Sequence, residues 1–103
     1  KLMVNSGLIC ITSFISPFEY ERTMARSLVL ENEFIEVFVD TPLSVCEERD
    51  VKGLYAKARS GQIPNFTGIS SIYEPPKNPE IRIDTTKVSA EEAANQIIDF
   101  ITE

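Results

Sequence analysis

The sequence predicts an α/β protein in which helices cover a parallel sheet on both sides. The prediction rests on two observations: apolar, β-branched segments typical of buried strands, and helix-start patterns between them. Over the 103 residues these signals alternate in the order β-α-β-α-loop-β-α. Such alternation indicates parallel strands joined by helical crossovers within one domain. Ligands of such sheets bind at the carboxyl ends of the strands, so candidate site residues are sought there.

The first strand and the first helix are predicted between Gly7 and Leu30. Gly7–Phe14 is a continuous apolar run with β-branched residues, as in a strand buried on both faces. Ser16-Pro17-Phe18-Glu19 follows, with serine, proline and glutamate spaced as in a capping box. We therefore expect Ser16 to cap a helix that begins at Pro17 and ends near Leu30.

The middle of the chain predicts one strand and two helices. Phe34–Val39 is apolar and predicts the second strand. Thr41-Pro42 repeats the N-cap and proline pattern and predicts a helix that continues to about Arg49. Gly53–Ser60 predicts a further short helix that ends before Gly61.

The last third predicts a long loop, a strand and a helix. Gly61–Glu80 contains four of the six prolines, and long loops in compact domains are often functional. Ile81–Asp84 predicts a short third strand. Ser89 and Glu92 form a second capping box that opens the final helix. One face of that helix is apolar, with Ala93, Ala94, Ile97, Ile98 and Ile101.

Composition excludes several classes of protein. A hydrophobic content of 43% argues against disorder, and a net charge of −6 disfavours nucleic acid as a partner. No apolar run reaches the roughly 20 residues that cross a bilayer. The chain has no histidine, and Cys10 and Cys46 lack paired spacing, so we expect no metal site and no histidine-based catalysis. We expect both thiols to be free and buried, which favours a cytoplasmic location.

The segment from Lys52 to Tyr73 is locally basic in an acidic protein. It contains Lys52, Lys57 and Arg59 and no acidic residue. Cations attract anionic oxygens, Phe66 offers a flat face to a base, and glycines allow the backbone to approach a ligand. The segment is therefore either an anion-binding site or an ordinary solvated loop.

Several long, collinear motifs in this chain resemble those of the adenylylsulfate kinase family. They are SFISPFxxERxxAR from Ser13, FIEVFVDTPLxVCExRD from Phe34, KGLYxKARxG from Lys52, NFTGI from Asn65 and YExP from Tyr73. The resemblance implies a P-loop NTPase-like fold and transfer of the ATP γ-phosphoryl group to the 3′-hydroxyl of adenylylsulfate. The product is 3′-phosphoadenylylsulfate, Mg²⁺ takes part, and the step belongs to sulfate assimilation.

The chain departs from the family pattern in two places. It contains no GxxxxGKS/T loop, so we expect the P-loop portion and most Mg²⁺ ligands to lie upstream of Lys1. Residues 1–103 would then be the carboxyl-terminal part of one kinase domain, with a lid at about residues 52–80, and inactive alone. The second departure is Glu19 and Tyr20, which stand where the family usually carries a base after SPF.

The resemblance also implies roles for individual residues. On the ATP side it implies Arg49, stacked on the adenine, and Val88. On the adenylylsulfate side it implies substrate contacts from Ile15, Ser16, Arg22, Lys52, Asn65, Phe66, Thr67 and Gly68.

Alternatives remain open for single residues and for the whole chain. Ser16 is a helix cap, a substrate contact or a phosphoserine intermediate, although phosphoryl transfer needs positioning more than a protein nucleophile. Arg22 has a structural or a substrate-side role. Asp40, at a strand end, binds metal or water or caps the next turn. The rival to a kinase is a non-catalytic nucleotide-sensing or partner-binding module. Fusion with ATP sulfurylase or a homo-oligomer is the expected assembly.

Overall fold

The computed structural model describes all of residues 1–103, and its elements alternate as in an α/β protein. The predicted parallel sheet is confirmed, because the two strands pair in parallel. None of the five helices has the length and apolar character needed to span a bilayer. In chain order the elements are α1 (Leu2–Asn5), α2 (Glu19–Arg26), a 3₁₀ turn (Glu31–Glu33), β1 (Val37–Val39), α3 (Leu43–Arg49), α4 (Leu54–Arg59), β2 (Ile81–Ile83) and α5 (Ala90–Thr102).

The sheet holds most of the small core. Val37 pairs with Ile81, Phe38 with Arg82 and Val39 with Ile83. Because side chains alternate along a strand, Ile81 and Ile83 lie on one face and Phe38 on the other, and all three are buried. The Arg82 guanidinium lies 5.3 Å from the centre of the Phe38 ring. The two other buried residues are Ala58 on α4 and Pro76 in the loop.

The predicted first strand is wrong. Gly7–Phe14 has no regular structure, and Leu8, Ile9, Ile11 and Phe14 are exposed. A strand requires a hydrogen-bonded neighbour, and no other segment of residues 1–103 pairs with this one. The sheet therefore has two strands instead of the three expected.

The predicted capping box at Ser16 is also wrong. The N-cap of α2 is Phe18, and Ser16 adopts a left-handed backbone with φ of 44°. The Glu19 amide, at the start of α2, donates to the Glu74 carboxylate at 3.1 Å instead. A distant acceptor thus replaces the local one that the sequence indicated, and the helix ends at Arg26, before the expected Leu30.

Two helices in the middle of the chain are confirmed with changed starts. The N-cap of α3 is Pro42 and not Thr41, whose hydroxyl forms a 2.6 Å hydrogen bond with the hydroxyl of Thr85. The start of α4 is held by Asp50, whose two carboxylate oxygens accept from the Tyr55 and Ala56 amides at 3.0 Å each. These amides would otherwise lack partners in the first turn.

The carboxyl-terminal predictions hold best. Ser89 and Glu92 form the expected capping box, with the Glu92 amide donating to Ser89 Oγ at 3.1 Å. β2 is one residue shorter than predicted, and β1 is shorter than Phe34–Val39. The loop from Gly61 to Glu80 contains no helix or strand beyond one isolated bridge, as its proline content indicated.

Candidate functional site

The carboxyl ends of β1 and β2 meet at one edge of the sheet. The strands are followed by Asp40-Thr41 and by Asp84-Thr85. The Asp40 amide donates to the Ile83 carbonyl at 2.7 Å, which extends the pairing one step beyond the strands. This edge is where ligands of parallel sheets bind.

Arg49 and Val88 lie at this edge. The Arg49 guanidinium donates from Nη1 to Thr85 Oγ1 at 2.7 Å and from Nη2 to the Thr85 carbonyl at 3.1 Å. Val88 is half-buried in the turn that follows, and its amide donates to the Asp84 carbonyl at 3.3 Å. The structure therefore brings Arg49 to the turn that carries Val88, the two residues expected on the ATP side. Hydrogen bonds from Thr86 lower the pKa of the Asp84 carboxyl below its ordinary value.

Asp40 is engaged by a cation at the same edge. Its Oδ2 accepts from Arg82 Nη1 at 3.2 Å, and the two side chains form an ion pair. No group of three or more cysteine, aspartate or glutamate side chains is placed to hold a metal ion. The capping role through Thr41 is absent, because the N-cap of α3 is Pro42 and no side chain caps this helix.

The Ser16 segment is held by Arg22. Arg22 Nη1 donates to the Ser16 carbonyl at 2.6 Å, Nη2 donates to the Glu74 carbonyl at 2.6 Å, and Nε lies 3.5 Å from Glu36 Oε2. Its side chain is only 10% exposed, and its guanidinium lies 5.8 Å from the centre of the Tyr73 ring. Burial raises the pKa of the Tyr73 phenol, while nearby Arg22 acts to lower it. The Arg22 side chain is therefore surrounded by protein groups. Ile15, by contrast, is 68% exposed.

The basic segment that the sequence singles out divides into paired and unpaired cations. Arg59 forms two hydrogen bonds with the Glu47 carboxylate, at 2.6 and 3.1 Å. Lys52 and Lys57 are exposed and form no ion pair. Lys52 and Lys57, and not Arg59, are therefore available to an anion.

Asn65–Gly68 form a tightly hydrogen-bonded turn. The Phe66 carbonyl accepts from three amides, those of Ile69, Ser70 and Ser71, at 2.9 to 3.0 Å. Asn65 has a φ of 54° and Gly68 a φ of 89°. A Cβ at Gly68 would lie 3.3 Å from Leu43 Cδ1, so the turn approaches the start of α3 closely. The backbone of this turn is set by local hydrogen bonds.

The Phe66 ring packs edge-on against Tyr55. The ring centroids are 5.1 Å apart and the planes are inclined by 72°. Phe66 is half-buried by this contact, which gives it a packing partner on α4 that the sequence did not reveal. Burial is the main cause that raises the pKa of the Tyr55 phenol, and the neighbouring Cys46 adds to the effect.

The expected site residues thus fall into three groups. Arg49 and Val88 share the sheet edge. Arg22 binds the Ser16 carbonyl, with Ile15 next to it in sequence, and Lys52 lies in the same segment as the Asn65–Gly68 turn. No hydrogen bond or ion pair joins Lys52 or Phe66 to the Ser16 group. Sequence reasoning missed Glu74, Thr85 and Tyr55, of which Glu74 lay within the motif YExP and Tyr55 within KGLYxKARxG.

Comparison with known proteins decides the family. The sequence model described as adenylylsulphate kinase matches residues 1–84. The chain belongs to the adenylylsulphate kinase family. An adenylyl-sulfate kinase of Acaryochloris marina is 56% identical over 103 residues, all of this chain and 50% of that protein. The bifunctional enzyme NodQ of Rhizobium meliloti is 56% identical over 101 residues, which are 98% of this chain and 16% of that protein.

A solved structure supports the same assignment. The APS kinase CysC of Mycobacterium tuberculosis, in complex with AMPPNP and APS, superposes with a TM-score of 0.82 at 48% identity. The match covers 87% of this chain and 53% of that one. This member of the adenylylsulphate kinase family thus shares its fold with part of a solved APS kinase, and it spans about half the length of the curated adenylyl-sulfate kinases it matches.

Proposed function

We propose that the intact protein transfers the ATP γ-phosphoryl group to the 3′-hydroxyl of adenylylsulfate. The observation that carries the proposal is the superposition, at 48% identity, on an APS kinase solved with AMPPNP and APS. The arrangement of the site residues supports it. Arg49 is held at the carboxyl end of the sheet, and unpaired Lys52 lies in the same segment as the Asn65–Gly68 turn.

The adenylylsulfate side would use shape and charge rather than a protein nucleophile. Lys52 offers an exposed ammonium group without a carboxylate partner, which suits an anionic phosphosulfate. Phe66 would stack on the adenine, with Asn65, Thr67 and Gly68 lining the turn beside it. Ile15 and Ser16, in the segment that precedes α2, would also contact the substrate. Since phosphoryl transfer depends on positioning and charge neutralisation, we assign Ser16 a contact and no covalent step.

The ATP side would use Arg49 and Val88. The two hydrogen bonds to Thr85 hold the Arg49 guanidinium in one plane, and a planar cation in this setting stacks well on a purine ring. Val88, half-buried in the next turn, would supply an apolar wall beside the same base. Both contacts orient the adenine, and neither touches the phosphates.

The family implies Mg²⁺, but residues 1–103 do not fit a magnesium site. Asp40 is paired with Arg82, and no cluster of three acidic side chains is present. Magnesium needs oxygen ligands and phosphate oxygens in an octahedral arrangement. We therefore assign no step of the reaction to a metal held by these residues.

Compartment and assembly are part of the same proposal. The two cysteines are free thiols, but the expectation that both are buried is wrong, because Cys10 is exposed and Cys46 is only half-buried. Free thiols of this kind favour the reducing cytoplasm. The match to the bifunctional NodQ supports fusion to a second enzyme as one form of assembly. A homo-oligomer stays a prediction.

A nucleotide-sensing module without turnover is the second candidate. The observation in its favour is Glu19, which stands where the family usually carries a base and puts a negative charge at the start of α2. The Tyr20 ring, next in sequence, stacks on Phe18 at 5.9 Å and offers no charge to a phosphosulfate.

One assay separates the two candidates. The intact protein is mixed with ATP, Mg²⁺ and adenylylsulfate, and 3′-phosphoadenylylsulfate is quantified by chromatography. Product formed in proportion to enzyme supports the kinase, whereas binding of both ligands by calorimetry without product supports the sensor. We expect residues 1–103 expressed alone to form no product, because they contain no phosphate-cradling loop. Product from that fragment would contradict the proposal that residues 1–103 contain only part of the active site.

A further inference from the structure

Glu74 joins two segments that are more than fifty residues apart in sequence. Its amide donates to the Pro17 carbonyl at 2.8 Å, and its carboxylate accepts from the Glu19 amide at 3.1 Å. Its carbonyl accepts from Arg22 Nη2 at 2.6 Å. The amide, the carbonyl and the carboxylate of Glu74 therefore all bind the long loop to the residues at the start of α2.

Arg22 completes the connection. The same guanidinium that binds the Glu74 carbonyl also binds the Ser16 carbonyl at 2.6 Å, and it is nearly buried against Glu36 and Tyr73. Two separate nitrogens of the planar fork are needed for the two carbonyls. A lysine can retain the charge but cannot reproduce this geometry.

Ser16 needs such support. A serine with a φ of 44° lies in the left-handed region, which costs on the order of 1 kcal/mol or more for residues other than glycine. The hydrogen bond from Arg22 to the Ser16 carbonyl favours the observed backbone conformation of the Ile15–Ser16 segment over conformations in which Ser16 has a negative φ. The strained segment and the anchored loop end therefore depend on the same side chain.

We propose that Arg22 and Glu74 form a latch that couples the loop 61–72 to the Ile15–Ser16 segment. Both are positioning residues for the adenylylsulfate site, a statement that rests on the proposed function. Arg22 acts through the Ser16 carbonyl and does not itself touch the substrate. We expect the latch to place the end of the lid at Glu74, rather than at about residue 80.

The coupling is measurable without a ligand. Amide hydrogen exchange is followed in the intact protein and in Arg22→Lys, Glu74→Ala and Glu74→Gln. Glu74→Ala removes the acceptor of the Glu19 amide, so exchange in residues 15–19 should rise about five- to tenfold, the effect of one or two lost hydrogen bonds. Glu74→Gln retains an acceptor oxygen and should restore most of the protection. Arg22→Lys should raise exchange in residues 15–19 and in 61–74 together.

The matched control is Arg26→Lys, one turn further along the same helix. Arg26 binds Glu80 at 2.7 and 3.1 Å and forms no bond with Ser16 or Glu74. It should leave exchange in residues 15–19 and 61–74 unchanged. Exchange that rises only beside each substituted residue, or that rises equally in the Arg26 variant, would overturn the latch.

The positioning role is tested by ligand binding in the same variants. Arg22→Lys and Glu74→Ala should raise the Kd and KM for adenylylsulfate about tenfold and change the KM for ATP less than twofold, with Glu74→Gln near wild type. Increased exchange in both segments with an unchanged Kd for adenylylsulfate would overturn the positioning role. If the wild-type protein itself does not bind adenylylsulfate, the proposed function fails and the positioning role fails with it, while the exchange measurements still decide whether the segments are coupled.

Discussion

Thr85 orients Arg49 through both of its oxygens. Its side-chain oxygen accepts from Nη1 at 2.7 Å and its carbonyl accepts from Nη2 at 3.1 Å. The Thr85 hydroxyl can accept from Arg49 while donating its own hydrogen to Thr41 Oγ1, 2.6 Å away. A side chain that is otherwise exposed and flexible is thereby fixed at the end of β2.

We predict that Thr85→Val weakens ATP binding. Valine retains the shape and the backbone carbonyl but removes the hydroxyl acceptor, so the guanidinium loses one of its two bonds and its fixed plane. The KM for ATP should rise about three- to tenfold, the effect of roughly one hydrogen bond, with the KM for adenylylsulfate unchanged. Steady-state kinetics with each substrate varied in turn measures the split.

Thr85→Ser is the matched control for this prediction. Serine restores the hydroxyl without the methyl group, so the KM for ATP should return close to the wild-type value. A rise in both KM values in Thr85→Val would show a general loss of structure at the strand ends and contradict a specific role at the nucleotide.

Phe66 gives a second prediction, because the structure provides a competing role for its ring. Phe66→Ala should weaken adenylylsulfate binding by roughly 1–3 kcal/mol, the range for stacking of a base on an aromatic side chain. The affinity for ATP should change far less. Calorimetry with each nucleotide on the intact protein makes the comparison.

Phe66→Leu separates stacking from packing. Leucine can still contact Tyr55, whose ring centroid lies 5.1 Å from that of Phe66, but it offers no flat face to a base. If Phe66 stacks on the substrate, the leucine variant should lose nearly as much affinity as the alanine variant. Wild-type affinity in Phe66→Leu would show that the side chain serves the contact with α4.

The elements that the sequence predicts well are those fixed by local chemistry. Three features depend only on residues close in sequence: the capping box of Ser89 and Glu92, the apolar β2 segment and the glycine at the start of α4. The Gly7–Phe14 segment has an equally clear pattern, yet strand formation depends on a partner that residues 1–103 do not supply. The sequence pattern therefore identified a segment with the composition of a strand, but it could not show whether a strand forms.

The candidate site divides in the same way. The motifs located Arg49, Lys52 and Phe66 without any knowledge of their contacts. The bonds of Thr85 and Glu74 connect residues 36 and 55 positions apart, and no spacing in the sequence indicates them. Ser16 shows the consequence, since its left-handed backbone excludes the capping role that its local pattern favoured.

Glu80 predicts how stability depends on pH. Burial acts to raise the pKa of Glu80, but hydrogen bonds from Arg26 and from the Glu36 amide outweigh it and lower the pKa below its ordinary value. The folded protein then binds this proton less tightly than the unfolded chain. The contribution of Glu80 is present above the unfolded-state value of about 4.3 and is lost as pH falls through the lower folded-state value.

We therefore expect Glu80→Gln to flatten the acid limb of the stability curve. The free energy of unfolding, from urea titrations of the intact protein between neutral pH and about pH 3, should fall less steeply below about pH 4.3 than in wild type. Glu48→Gln is the control, because the Glu48 side chain is exposed and forms no hydrogen bond or ion pair. Parallel curves for wild type and Glu80→Gln would contradict the prediction.

Lys52 is predicted to close the lid on the substrate. It is exposed and unpaired at the start of the basic segment, so a bound anion would give its ammonium group a partner. Lys52→Ala should lower both the affinity for adenylylsulfate and turnover, because the lid would close less often. Lys57→Ala removes a similarly exposed charge from α4 and should change both quantities less.

Hydrogen exchange shows whether the segment moves at all. Amides between Lys52 and Tyr73 should exchange faster than those of β1 in the unliganded protein, since most of these residues are exposed and only α4 has regular structure. Adenylylsulfate with a nucleotide should protect them in wild type, and protect them less in Lys52→Ala. If these amides are already as protected as Val37–Val39 without ligand, the segment is a rigid loop, and loss of activity in Lys52→Ala would then come from a lost contact and not from failed closure.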